Sequence, residues 1–433
     1  MRSIQKFLSK TDRKILMLII YRFLINLVFF FSPLILFLRL IKKKEHKKRF
    51  KEKLCFFSKN RGNGKLLWFH GASVGEIQSV IPLIERFEKK KSIKKILITS
   101  NTLSSSKVIE KLNFKKVVHQ FFPIDTNYHS KKFLNFWKPS AAFFIDSEIW
   151  PNMIINLEKN KTPIFVINGR LTKKSFEKWK QFPNFSNHIF GKINLCLSSS
   201  KISKFYFKKL GVKNLKYLGN LKFAQSENDK LINLSLLKKF IKKRKVWCAS
   251  STHYNEEKFC GIVHKFLKKK YKNILTIIVP RHIERSHSIK EELNNLGLKI
   301  HEFNSKNKMH KDTDIYIMNS YGKTKSIYSL CDNVFLGGSL IKHGGQNPLE
   351  ATRYNCNVLH GPNVDNFKEV YNYLGKLNVS FKIQNSLQLF KRLNQLLSKK
   401  NNSNVVKLKL KKVGDKILNN TYMEINKHLI NEL

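Results

Sequence analysis

A glutamate three residues after a serine, in a turn flanked by glycines, is the first place in this sequence equipped for chemistry. The segment HGASVGE (70–76) follows an apolar run and opens a helical pattern. Gly71 and Gly75 let the backbone turn tightly and approach a ligand. Backbone N–H groups at a helix start favour an anion, and the helix dipole favours an ionised carboxylate at Glu76. A carboxylate so placed can accept a proton from an attacking hydroxyl. The same letters, S-x-x-E, also spell a capping box with Ser73 at the N-cap. Taken locally, the pattern favours the cap.

Three further clusters carry polar chemistry. DSEIWPN (146–152) sets Asp146 and Glu148 at the end of an apolar strand, where alternate residues share a face. Such carboxylates also serve as helix caps. In PRHIER (280–285), Arg281 and Arg285 stand four apart beside His282. On one helical face they form either a phosphate clamp or a solvated basic surface. GGSLIKHGGQNPLE (337–350) brackets a loop with two glycine pairs and then starts a helix at Asn347-Pro348. It has the form of a phosphate- and ribose-holding loop, with Glu350 placed for ribose hydroxyls. It lacks the G-K-[ST] of a Walker loop. Asp312 and Asp314 make a D-x-D, which precedes a strand and reads as a turn cap, so no metal site is expected.

These residues need elements to position them. Short apolar strands such as KLLWFH, KKILITS, AAFFIDS and TPIFVING alternate with helices before residue 220. A second alternation begins at VWCASS (246–251) and runs through ILTIIVP, NVFLGG and NVLHGP. That alternation predicts α/β architecture with two parallel, doubly wound sheets. Ligands in such sheets lie beyond the carboxyl ends of the strands, where the unusual residues fall. Two Rossmann-like units with a cleft between them are the architecture of a GT-B nucleotide-sugar transferase. The expected boundaries are 1–50 for a membrane anchor and basic juxtamembrane segment, 51–220 for the first domain, 221–245 for a Lys-rich linker, and 246–433 for the second domain.

The N-terminal stretch Phe23–Leu38 carries no charge and, with its flank, reaches the roughly 20 residues of a bilayer span. Lys42, Lys43, Lys44, Lys47, Lys48, Arg49, Lys51 and Lys53 follow it, which puts the rest of the chain on the cytoplasmic side of a single-pass anchor and near anionic lipid headgroups. The alternative is a buried or surface-inserted helix. The net charge of +54 comes from 83 Lys and Arg against 29 Asp and Glu. The lysines are scattered rather than gathered in one arm, so no nucleic-acid partner is expected. Six cysteines without C-x-x-C or zinc-like spacing read as reduced, buried thiols.

Taken together, HGASVGE, SNTLSSS, FFPIDT, DSEIWPN, INGRLTKKS, GNLKF, ASSTHYNEE, VPRHIER, GGQNPLE and GPNVDNF resemble the family of 3-deoxy-D-manno-octulosonic acid (Kdo) transferases, in letters, order and spacing. The resemblance implies transfer of Kdo from CMP-Kdo to a hydroxyl of the lipid A precursor (lipid IVA), with inversion, a GT-B fold, an inner-membrane location and no cofactor or bound metal. It implies an acceptor role for the first domain and CMP-sugar binding for the second. Glu76 matches the general base. A carboxylate of Asp146 and Glu148, together with Lys222, matches the stabilisers of the transition state. Pro280 and Arg281, Tyr321, Gly322 and Lys323, and Asn347, Pro348, Leu349 and Glu350 match the CMP-binding loops. This sequence departs from the family pattern at Asp146, Ala224, Gln346 and the loop Asn319–Thr324. The competing readings are a GT-B transferase using another nucleotide sugar and a basic membrane-bound nucleic-acid-binding protein.

Overall fold

The computed structural model describes residues 10–112, 114–225, 231–305, 308–399 and 404–430. The chain forms two compact units, Met1–Ser226 joined by Val413–Leu433, and Glu227–Lys412.

In the first unit the strands are β1 (Lys65–His70), β2 (Ile93–Ser100), β3 (Val117–Phe121), β4 (Ala141–Ile145), β5 (Ile164–Gly169), β6 (Leu195–Ser198) and β7 (Leu215–Tyr217). Their order across the sheet is β3-β2-β1-β4-β5-β6-β7, and the pairings are parallel. The helices are α1 (Lys10–Ile41), α2 (Val74–Glu88), α3 (Leu103–Glu110), α4 (Asn127–Trp137), α5 (Pro151–Lys159), α6 (Lys173–Lys180), α7 (Pro183–Phe190) and α8 (Lys201–Leu210). The strands read as continuous apolar runs because both faces of a parallel sheet are covered. Leu66 and Trp68 of β1 pack into one core with Phe133 and Trp137 of α4. Leu67 and Phe69 point the other way, toward Ile77, Leu83 and Phe87 of α2. Chain order reverses between β1 and β4, whose carboxyl ends lie side by side, with His70 paired to Phe144. That is the topological switch point, where a doubly wound sheet opens a crevice for ligand.

The second unit repeats the plan with β8 (Lys245–Thr252), β9 (Ile274–Pro280), β10 (Ile300–Glu302), β11 (Ile315–Ile317), β12 (Asn333–Leu336), β13 (Asn357–His360) and β14 (Ser380–Lys382). The order β10-β11-β9-β8-β12-β13-β14 puts its switch point between β8 and β12. The fold is α/β of the GT-B type, with two Rossmann-like units.

The boundaries differ from the sequence reading in three ways. The last helix, Asn404–Ile430, is divided, and from Val413 onward it belongs with the first unit and not with residues 246–412. Its Ile417, Leu418, Ile425 and Leu429 enter the core of the first unit beside Phe69 and Ile98. Apolar periodicity marks a helix but does not say which sheet it covers. The expected linker also holds structure, a 3-10 turn at Leu221–Ala224 and a helix at Ser235–Ile241. Finally, the described residues 10–50, expected to form an anchor and juxtamembrane segment of their own, pack on the first unit. α1 is long and apolar enough to cross a membrane, yet Met17, Leu18 and Tyr21 pack on the core of the first unit. All six cysteines are buried, and burial pushes the Cys55 thiol up to about 12.

Candidate active site

At the first switch point the chain leaves β1 through Gly71. A Cβ there would lie 3.0 Å from the Ile145 side chain and 3.1 Å from Ile77, so any larger residue would have to push these side chains apart between β4 and α2. Ser73 then caps α2 and the capping box forms in full. The Ser73 hydroxyl donates to Glu76 Oε1 at 2.8 Å, and the Ala72 amide donates to Glu76 Oε2 at 2.7 Å. These bonds fix the carboxylate in space. They do not keep it acidic, as the helix dipole alone would suggest. Burial, then the negative charges of Asp146 and Glu148, push the Glu76 carboxyl up to about 7 against the pull of the Ser73 and Ala72 bonds. A base poised at that value is half ionised near neutral pH, where proton transfer works best. Gly75 sits on the exposed first turn of α2. A Cβ there would meet nothing within 4 Å, so packing does not demand glycine. It leaves bare backbone beside Glu76.

The two neighbouring carboxylates come from the end of β4, the adjacent strand. Asp146 is held in the left-handed backbone region, at φ 58°, and accepts a 2.8 Å bond from the Asn168 amide. Glu148 Oε2 lies 3.1 Å from His70 Nε2 and accepts 2.9 Å from Trp150 Nε1. Burial would raise the Glu148 carboxyl, but the bonds and charge from His70 and the bond from Trp150 bring it below the ordinary range. His70 is in turn braced by Thr99 Oγ1 at 2.9 Å and stacked on Phe122 at 3.8 Å. Glu148 therefore stays ionised while Glu76 titrates. Two carboxylates with opposed shifts are the pattern expected where one must exchange a proton and the other must not.

Lys222 reaches the same cluster through the backbone. Asn168 Oδ1 accepts the Leu221 N–H at 2.9 Å while its amide holds Asp146, so one side chain ties the Lys222 turn to the end of β4. The C-terminal helix supports that turn from behind. A Cβ on Gly414 would lie 2.4 Å from the Phe223 carbonyl oxygen, and one on Gly219 would lie 2.7 Å from Ile417 Cδ1. The close approach of helix and turn depends on both glycines.

At the second switch point one buried carboxylate organises the glycine loop after β12. Glu256 accepts from the backbone N–H groups of His253 (3.0 Å), Gly338 (2.7 Å), Ser339 (3.2 Å) and Leu340 (3.1 Å). Asn347 Oδ1 accepts the Leu349 N–H at 3.1 Å and starts the short helix Leu349–Arg353, with Glu350 in its first turn. Pro280 ends β9, and the Arg281 amide bonds to the Thr252 carbonyl at 3.0 Å, leaving an exposed Arg281 side chain. Tyr321 is 67% exposed, Gly322 has φ 79°, and Lys323 lies over the Phe303 ring at 4.2 Å.

Comparison with known proteins gives the family. Residues 48–225 match the family model described as 3-deoxy-D-manno-octulosonic-acid transferase (kdotransferase). A transferase of that name from Rickettsia bellii is 31% identical over 389 residues, covering 89% of this chain and 92% of the relative. The chain belongs to the Kdo transferase family. The Haemophilus influenzae member is 28% identical over 86% of this chain and 88% of its own. A UDP-GlcNAc 2-epimerase from Neisseria meningitidis shares the fold at 14% identity, with a TM-score of 0.56 over 85% of this chain and all of that one.

Within this Kdo transferase, Glu76, Asp146, Glu148 and Lys222 gather at one switch point, and Pro280, Arg281 and Asn347–Glu350 at the other. Arg285 departs from the sequence reading. PRHIER forms a 3-10 turn rather than an α-helical face, and Arg285 makes paired bonds of 3.1 and 3.3 Å to the buried Glu257. It braces the fold and leaves Arg281 as the outward cation. Asp312 and Asp314 are engaged by lysine and histidine partners, Asp314 with Lys268 at 2.5 Å and Asp312 with His310 at 2.6 Å. Sequence reasoning missed Asn168, His70 and Glu256, each a polar residue inside a quoted block. For His70 and Asn168 the apolar runs they end were the available signal, since a buried polar group requires a partner, whereas Glu256 sits in the polar stretch STHYNEEK and gave none.

Proposed function

We propose that this enzyme transfers Kdo from CMP-Kdo to the lipid A precursor lipid IVA at the cytoplasmic face of the inner membrane, inverting the anomeric centre. The observation that carries the reading is a fixed carboxylate, Glu76, brought to about neutrality at the switch point of a Kdo transferase. In the reaction an acceptor hydroxyl attacks the anomeric carbon of the donor. Its proton passes to Glu76, the new C–O bond forms, and the bond to the CMP phosphate breaks with its electron pair leaving on phosphate. Lys222 supplies positive charge to the departing group. The neighbouring carboxylates Glu148 and Asp146 disfavour the anionic form of Glu76, which strengthens it as a base. Arg281, the 321–323 loop and the Asn347–Glu350 turn hold the CMP moiety. No cofactor or metal takes part in this scheme.

A mass-resolved assay with CMP-Kdo and tetra-acylated lipid A precursor tests the reading. Product from the wild type and none from Glu76→Ala supports it, and the product mass counts the sugars added. Turnover with a UDP-sugar but none with CMP-Kdo refutes it.

A further inference from the structure

The covering of α1 carries more than the presence of a membrane helix. One stripe of the helix faces the first unit along almost its whole length. The Tyr21 hydroxyl donates to Asp125 Oδ2 at 2.7 Å, and Arg22 donates to Asn152 Oδ1 at 3.0 Å and Asn127 Oδ1 at 3.2 Å. Phe29 lies against His129 at 4.6 Å. Ser32 and Leu36 are buried at 3% and 5% exposure, and Arg39 pairs with Glu45 at 2.5 Å just past the helix end. The positions 18, 22, 29, 32, 36 and 39 repeat at helical spacing, so they form a single docked face.

The opposite face is apolar and open. Phe23, Leu27, Phe30, Leu34, Phe37 and Ile41 follow the same spacing and are all exposed, Phe30 to 74%. A helix crossing a bilayer presents its whole circumference to hydrocarbon or to other membrane elements. Here the docked stripe is occupied by α7, by residues of α4 and α5, and by the segment after α1. Asp125 also accepts the Asn152 and Met153 amides at 3.0 and 2.9 Å, so it belongs to the start of α5. For α1 to span, it would have to leave Asp125, Asn152 and Asn127, or else the polar surface of the domain would have to enter the hydrocarbon without partners.

We infer that α1 lies in the plane of the membrane surface, its apolar face sunk into one leaflet, and does not cross the bilayer. Charge complementarity selects an anionic lipid surface as the occupant. Lys42, Lys43, Lys44, Lys47, Lys48 and Lys51, at the end of the helix, are all exposed. Arg49 and Lys53, which the sequence grouped with them, are turned inward to Glu52 and Glu45. An apolar helix face with exposed lysines clustered just beyond its end is drawn to an anionic lipid surface. At 32 residues the helix is about 48 Å long, well beyond the roughly 30 Å a span requires. This inference rests on membrane attachment and not on the sugar-transfer reading, so either can fail without the other.

Full-length protein bound to phosphatidylethanolamine–phosphatidylglycerol vesicles tests it. Single cysteines are placed at Ser3, ahead of the helix, at Lys47, beyond it, and at Phe23, Phe30 and Phe37 on the exposed face. The six native thiols are buried. With α1 in the plane, a membrane-impermeant maleimide added outside labels Ser3→Cys and Lys47→Cys at rates within about twofold, and spin labels at the three phenylalanine positions report one shallow depth. Protection of Ser3→Cys by about tenfold or more, or a depth that climbs to the bilayer centre and falls again along 23, 30 and 37, overturns it. Failure to bind the vesicles, or self-association that covers the apolar face instead, overturns it as well.

Discussion

Replacing Glu76 by Gln should make the protein more stable while stopping its chemistry. The carboxyl titrates near 7 in the folded chain because burial and the charges of Asp146 and Glu148 oppose its ionisation. In the unfolded chain it titrates at about 4.3. Between those values the folded state holds a proton that the unfolded state has released, so the folded state loses ground as pH rises through this window. Below pH 4 the handicap is absent, and above pH 7 it is complete. A displacement from about 4.3 to about 7 corresponds to at most roughly 4 kcal/mol, and partial exposure reduces that to about 1–3 kcal/mol. Gln preserves the cap. Its oxygen can accept the Ala72 N–H and its amide can face the Ser73 hydroxyl, as in other S-x-x-Q boxes. Glu76→Gln should therefore melt several degrees above wild type at pH 8, at roughly 2–4 °C per kcal/mol, with the gap closing toward pH 4.5. Thermal melts across that range measure it. A variant equal to or weaker than wild type at pH 8, with an unchanged pH dependence, would show that Glu76 carries no ionisation penalty and would remove the physical basis for a neutral base.

Gly75→Ala should leave stability unchanged or raise it by up to about 1 kcal/mol, as for other helix glycines, yet lower kcat sharply, because the added methyl projects into open space beside Glu76. Melting curves and initial rates on one preparation separate the two effects. Asn168→Ala should cost about 1–3 kcal/mol by orphaning the Leu221 amide and Asp146. It should lower kcat more than it raises the KM for CMP-Kdo, because it unseats Lys222 and not the donor loops. Gly414→Ala should destabilise by about 1–3 kcal/mol, since its Cβ meets the Phe223 carbonyl. Urea unfolding measures that loss, and steady-state kinetics should show a fall in kcat from a mutation at the far C-terminus.

Much of the fold was readable because parallel strands buried on both faces leave short continuous apolar runs, and their ends carry the residues that meet ligand. KLLWFH followed by HGASVGE, and NVFLGG followed by its glycine loop, were legible for that reason. What escaped depends on contacts between distant segments. The C-terminal helix reads as part of its neighbours in sequence, and only the packing of Ile417, Leu418, Ile425 and Leu429 into the first core, with Gly414 on Phe223, shows where it belongs. In sequence Arg285 reads as either a phosphate ligand or a solvated cation, and it is neither, because Glu257, buried and 28 residues away, takes both its terminal nitrogens. For Glu76 the sequence displayed the hydrogen bonds and the dipole, which favour ionisation. The opposing carboxylates stand on the neighbouring strand, 70 and 72 positions on, and with burial they reverse the sign. The lysine run after α1 was likewise legible as charge, but not the inward turn of two of its members.

The pH dependence of kcat/KM for Kdo transfer tests most directly the claim that Glu76 is the base. The account predicts a rate that rises about tenfold per pH unit on the acidic side and levels off with an inflection near 7, at the Glu76 value. A rate that stays flat between about pH 5 and 8, or a Glu76→Gln variant that keeps both the turnover and the acidic limb, would contradict it.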